Sequence, residues 1–107
     1  MTTIRYFEED GVCYLTVDGH AGYAPEGQDI VCAAVSTLVC TLNECLDEEY
    51  ERGNLAHYEA RMEPGDVQLC WTPEPDAAGR VRRIWETVET GLSLVAGHYP
   101  AYIDGEV

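Results

Sequence analysis

Two tight-turn signals constrain this chain more than any other feature. Glu9-Asp10-Gly11 stands between β-type runs at residues 4–8 and 12–18, and an Asp-Gly pair supplies the positive backbone angles of a short hairpin turn. Glu63-Pro64-Gly65-Asp66 stands in the same way between residues 55–62 and 67–72, with Pro and then Gly suited to the central positions of a type II turn. The chain must therefore house two hairpins within 107 residues, a length that buries about 60 to 70 % of its unfolded surface. No repeat, linker or low-complexity tract divides it, so residues 1–107 are read as a single domain.

A helix is expected after each hairpin. Val31, Val35, Leu38, Leu42 and Cys45 recur at four- and three-residue steps, which lays one apolar stripe along a helix facing a sheet. Residues 44–52 turn polar, with 47–51 expected as a solvated helix end, and Gly53-Asn54 supplies a stop. After the break at Pro73-Glu74-Pro75-Asp76, a second stripe of Val81, Ile84, Trp85, Val88, Leu92 and Val95 ends near Gly97. Tyr99-Pro100-Ala101-Tyr102-Ile103 reads as a short closing strand. The order β-β-α-β-β-α-β predicts an α+β two-layer sandwich, a mixed sheet of four to five strands carrying two helices.

The charge narrows the partners. Against 20 Asp and Glu stand six Arg and no Lys, a formal net charge of -14. Nucleic-acid binding needs cations that displace counterions, so direct contact with nucleic acid is not expected. Such a surface attracts a basic peptide; it also serves solubility or a salty medium. Cys13, Cys32, Cys40, Cys45 and Cys70 form an odd set without a CxxC pair or a secretory leader, which points to reduced thiols in a cytoplasm. The apolar runs fall short of the roughly 20 residues that span a bilayer, so no membrane is expected. Cys13, Trp71 and Trp85 are expected in the core, Cys40 and Cys45 in the helix core, and Cys70 as a structural strand thiol. His57 and His98 have no partners at metal-ligand spacing, and neither a metal nor an organic cofactor is expected.

Between the first hairpin and the first helix, the apolar alternation stops. Gly19, Gly22, Pro25 and Gly27 break the backbone of a mobile loop, and Asp29 fits a helix N-cap. That loop carries His20 and Cys32 to the same end of the fold. A thiol with an ordinary pKa of about 8.5 is only a few per cent thiolate near neutrality. In the first helical turn the dipole favours its anion, and a nearby His20 imidazolium would favour it further. Cys32 would then attack a peptide carbonyl, while His20 protonates the departing amine and later activates water. Free N–H groups at the helix start are candidate oxyanion donors. Asp29 has two roles open to it, capping the helix or orienting His20, and capping would occupy the Cys32 amide. Ser36, one turn beyond Cys32, shares its helix face.

Asp18-Gly19-His20-Ala21 together with Asp29-Ile30-Val31-Cys32-Ala33-Ala34-Val35-Ser36 resembles the two signature motifs of the ribosomal-processing cysteine protease family (Prp, YsxB-like). Gly91-Leu92 and Tyr99-Pro100-Ala101-Tyr102-Ile103 are similar to that family's C-terminal segment, while the middle hairpin carries little identity. The resemblance implies that His20 is the base and Cys32 the nucleophile, that Asp29 and Ser36 belong to the site, and that a mobile loop covers the cleft; in that loop Gly19, Ala21, Gly22, Tyr23 and Gly27 are candidates to contact a substrate peptide or merely to shape the loop. It also implies a homodimer that removes an N-terminal extension from a large-subunit ribosomal protein. Two rival classes remain: a non-catalytic module that binds a basic ribosomal peptide, and a redox sensor using Cys32 as a low-pKa thiolate.

Overall fold

Both hairpins form, and their turns have the backbone angles that the turn residues demand. In the computed structural model, which describes residues 1–105, β1 (Thr2–Glu9) and β2 (Val12–Asp18) pair antiparallel across Asp10 and Gly11, both at positive φ. β3 (Leu55–Glu63) and β4 (Asp66–Pro73) pair across Pro64-Gly65, with Gly65 at φ +71°. β4 also pairs antiparallel with β2, which joins the hairpins into one sheet. A last strand, β5 (Ile103–Gly105), adds parallel to β1, giving the order β3-β4-β2-β1-β5. The sheet is therefore mixed and five-stranded, with α1 (Ile30–Glu51) and α2 (Ala78–His98) as the second layer.

Side chains alternate across the sheet, and only one face is covered. Ile4, Leu15, Val17, Leu69 and Trp71 are buried with Val31, Val35, Leu42, Val81, Trp85 and Leu92 of the helices. Trp71 and Trp85 both lie in this core, as expected, with Tyr6 stacked on Trp85 at 4.3 Å. The opposite face is open, and there Phe7 stacks on Tyr14 at 4.7 Å.

Three expectations about packing and strand bounds are corrected. The buried stripe of α1 runs through Val31, Val35, Val39, Leu42, Leu46 and Glu49, so Val39 and Leu46 take the places expected for Leu38 and Cys45. Leu38 faces α2 instead, where Gly91 leaves room for it: a methyl group at Gly91 would lie 2.6 Å from Leu38 Cδ2. Cys40 is exposed and Cys45 only half-buried, so neither is a core thiol. The closing strand begins at Ile103, because Tyr99 to Tyr102 form a turn closed by the Tyr102 N–H donating to Tyr99 O (3.0 Å).

The acidic end of α1 is not wholly solvated. Glu49 is 1 % exposed and accepts from Arg80 Nε (2.6 Å), Arg52 Nη1 (3.1 Å) and Asn54 Nδ2 (3.1 Å). A buried carboxylate is tolerated when its oxygens are paired in this way. The Arg80 hydrogen bond first, then Asn54 and the two arginine charges, hold its carboxyl below the ordinary range despite burial. Glu49 thus ties the end of α1 to the start of α2. By length and a mean hydropathy of 1.5, α1 is also apolar enough to cross a membrane, contrary to the reading of its runs; its apolar side packs in the core.

Candidate active site

β2 ends at Asp18, and Gly19 turns the chain away at φ +84°. The position is crowded, since a methyl group there would lie 2.6 Å from Met1 O. The Gly19 N–H donates to Gly65 O (2.9 Å), which fastens the end of β2 to the β3–β4 turn. His20 follows, exposed, with its ring against that same turn: a methyl group on Gly65 would lie 2.8 Å from His20 Nε2. Pro64 and Gly65 therefore wall the imidazole. Sequence reasoning read Pro64-Gly65 only as a turn, and its one visible signal was a glycine at the left-handed position.

Asp29 caps α1. Its Oδ1 accepts the N–H groups of Val31 (3.0 Å) and Cys32 (2.9 Å), and Oδ2 accepts the Tyr23 N–H (3.0 Å). The backbone N–H groups of Cys32 first and then Tyr23 hold the Asp29 carboxyl below the ordinary range, so it stays anionic in neutral solution. Of the two roles left open, capping is the one the hydrogen bonds fill. The amides of Val31 and Cys32 are occupied by it, and the Ala33 N–H donates to Asp29 O (3.0 Å).

The donor that reaches the sulfur comes from the other side of the loop. The Ala21 N–H donates to Cys32 Sγ at 3.2 Å, and Ala21 is itself buried. Neither residue type nor spacing marked this amide out, because the contact depends on how the loop folds back. Cys32 is half-buried in the first turn of α1, with a backbone donor aimed at its sulfur and the helix N-terminus behind it. Both are surroundings in which cysteine nucleophiles are found. Among the described residues no hydrogen bond joins His20 to Cys32. Catalytic hydrogen bonds often tighten only when substrate is bound.

The two side chains face one groove. Its outer part, about 580 Å³, is lined by His20, Cys32, Ser36, Glu26, Asp29 and Pro64 among others. Its inner part, about 420 Å³, shares His20, Cys32, Ser36, Glu26 and Pro64 and reaches an apolar floor of Val17, Val35, Val39 and Val67. Gly22 and Gly27 line the outer part and Gly19 the inner. Ser36 lies one turn beyond Cys32 on the same wall, with its side chain exposed. Tyr23 is turned elsewhere, against Tyr99 and Tyr102. Glu26 escaped the sequence reading, although it borders both parts of the groove. Among the described residues no cluster of His, Cys, Asp or Glu is arranged to hold a metal.

The chain is similar in structure to Prp from S. aureus, an essential ribosomal processing protease, in complex with a covalently linked product peptide. That likeness has a TM-score of 0.72 and 17 % identity over 99 % of this chain and 100 % of the other. The same protease in complex with a substrate peptide gives a TM-score of 0.69 and 17 % identity over 99 % and 98 % of the two chains. SMU.848 from Streptococcus mutans gives 0.69 and 22 % over 99 % and 92 %. At these identities the likeness speaks to the fold. No curated protein matches the chain. The family model for cysteine protease Prp, however, matches residues 1–104. With that match over nearly its whole length, this chain belongs to the Prp family of cysteine proteases.

Proposed function

We propose that the chain is an endopeptidase working through a His20–Cys32 dyad, and that it removes an N-terminal extension from a large-subunit ribosomal protein. The observation that carries this reading is the Ala21 N–H aimed at Cys32 Sγ (3.2 Å) in a groove that Cys32 shares with His20. A thiol with a dedicated donor, in the first turn of a helix and open to a peptide-sized groove, has what a nucleophile needs.

Cys32 Sγ, as thiolate, forms a bond to the scissile carbonyl carbon, and the carbonyl oxygen takes the electron pair. The Ala21 amide, freed from sulfur as its charge moves to oxygen, is placed to donate to that oxyanion. Collapse breaks the C–N bond as the His20 imidazolium gives its proton to the departing amine, leaving a thioester on Cys32. His20, now neutral, takes a proton from water as the water attacks the thioester. The acid is released, and thiolate and imidazolium are restored. Asp29 holds both sides of the loop in place for these steps through the amides of Tyr23 and Cys32. Ser36 supports the bound peptide from the same wall.

The relatives from S. aureus are described as ribosomal processing proteases with bound peptides, and a net charge of -14 suits a basic ribosomal protein. The same acidity favours the free ribosomal protein over RNA-coated subunits as substrate. The enzyme acts in the cytoplasm, as a homodimer. The test is incubation with a peptide spanning the start of the host's own ribosomal protein, read by mass spectrometry. One cut by wild type, and none by Cys32→Ser or His20→Ala, is expected; the same cut by either variant would contradict the dyad.

A further inference from the structure

The loop between β2 and α1 is held from two sides. On the groove side are the Ala21 N–H on Cys32 Sγ (3.2 Å) and the Tyr23 N–H on Asp29 Oδ2 (3.0 Å). On the other side, the Tyr23 ring meets Tyr102 edge-on at 5.3 Å and 72°, and Tyr99 at 5.8 Å and 84°. Both partners belong to the turn between α2 and β5, and that turn is fixed. The Tyr99 N–H donates to Val95 O (2.9 Å), the Tyr102 N–H to Tyr99 O (3.0 Å), and the Thr2 N–H to Tyr102 O (3.0 Å). Gly22 and Ala24 line the groove on either side of Tyr23, whereas the Tyr23 side chain is not among its described lining residues. Gly19, Gly22 and Gly27, all at positive φ, leave the loop backbone many alternatives once the ring contacts are lost.

We infer that Tyr23 is a positioning residue: its ring, latched on Tyr99 and Tyr102, keeps the loop folded so that the Ala21 amide stays on the Cys32 sulfur. For its effect on catalysis this rests on the proposed role of Cys32 as nucleophile. Two edge-to-face aromatic contacts together raise the population of the held loop by about tenfold or more. Release of the latch lets the Ala21 amide leave the sulfur, so Cys32 reacts without the donor that would meet the oxyanion. The other titratable groups facing the groove around Cys32 are His20 and Glu26 of the loop, Asp29 at the cap, Glu63 at the end of β3 and Cys40 along α1. Their positions do not depend on a phenolic hydroxyl at residue 23.

The experiment is amide hydrogen exchange resolved residue by residue by NMR, which reads the Ala21 N–H held on Cys32 Sγ directly. It uses the full chain as wild type, Tyr23→Phe and Tyr23→Ala, beside kinetics on a cleaved peptide. Tyr23→Phe keeps the ring contacts and should behave as wild type. Tyr23→Ala should speed exchange of the Ala21 amide by about tenfold or more and leave the amides of α2 unmoved. Its kcat should fall about tenfold with KM little changed. If Tyr23→Ala does not fold, Tyr23→Leu, which keeps apolar volume without an aromatic edge, carries the same test. Unmoved exchange of the Ala21 amide in a folded variant would overturn the inference. So would a raised KM at constant kcat, which would make Tyr23 a peptide contact. If Ala21 exchange speeds in Tyr23→Ala but wild type cuts no peptide, the latch stands and the peptidase reading falls.

Discussion

Gly65 shows how much a single position can decide in this site. A side chain there meets two separate costs, the left-handed backbone at φ +71° and the imidazole of His20 at 2.8 Å. Gly11 has the same kind of backbone, φ +78°, with nothing near it. Gly65→Ala and Gly11→Ala should therefore share a backbone-strain cost of about 1 kcal/mol each, with displacement of the exposed His20 ring added at Gly65 alone. Only Gly65→Ala should lose activity, by about tenfold or more, since small misplacements of a catalytic group are costly. Equal kcat/KM values for the two folded variants would show that the turn does not position His20. Asp29 is the second such residue. Asp29→Asn keeps a capping oxygen for Val31 and Cys32 but turns an NH2 donor toward the Tyr23 N–H, so it should keep more of its melting temperature than of its activity, whereas Asp29→Ala frees the amides of Tyr23, Val31 and Cys32 and should lose both. Peptide cleavage and thermal melting on the pair decide the matter. His20, Cys32 and Asp29 were legible in the sequence because each sits in a short motif with its own chemistry. The wall at Gly65 and the amide of Ala21 were not, since both act through backbone that the sequence does not specify locally.

Among the elements, α1 carries the most. Its start was legible from Asp29, whose side chain caps where the polar loop ends. The position of its buried stripe was not. Steps of three and four residues are both compatible with a period of 3.6, and the choice between Leu38 and Val39 is made by α2, where Gly91 opens a place for Leu38. The last turn was misread for a related reason: Glu49 looks like one more acidic residue until Arg80, distant in sequence, arrives beside it. β5 was misplaced because Tyr99 and Pro100 precede it in a turn that the local apolar pattern disguises, while pairing with β1 fixes where the strand begins. Glu49→Gln should destabilise the fold by about 1–3 kcal/mol at neutral pH through weakened charged hydrogen bonds. Its carboxyl is lower in the folded chain than in the unfolded one. The stabilisation is therefore complete above the ordinary carboxylate value of about 4.3 and is lost as pH falls through the lower folded value. Denaturation at neutral and acid pH should show the wild type losing more stability than Glu49→Gln. Parallel losses would contradict the linkage.

For the whole molecule, the two-layer fold places hairpin turn, loop and helix start at one end of the sheet, and the groove lies where they meet. Fold class and element order were legible because each hairpin turn and helix stripe is local; how tightly the ends meet was not. The surrounding charge of -14 should make cleavage of a basic peptide sensitive to salt, with KM rising as ionic strength shortens the screening length to about 10 Å and below. A peptide whose lysines are replaced by glutamine should show a much weaker dependence, and equal dependence would remove charge from the account. The central claim is covalent chemistry at Cys32. Its most direct test is a rapid acid quench of enzyme with peptide, followed by mass mapping of the protein. The account predicts a transient adduct equal to the N-terminal fragment of the peptide, carried on Cys32 alone among the five cysteines and absent in Cys32→Ser. An adduct on another cysteine, or cleavage that continues in Cys32→Ser, would contradict it.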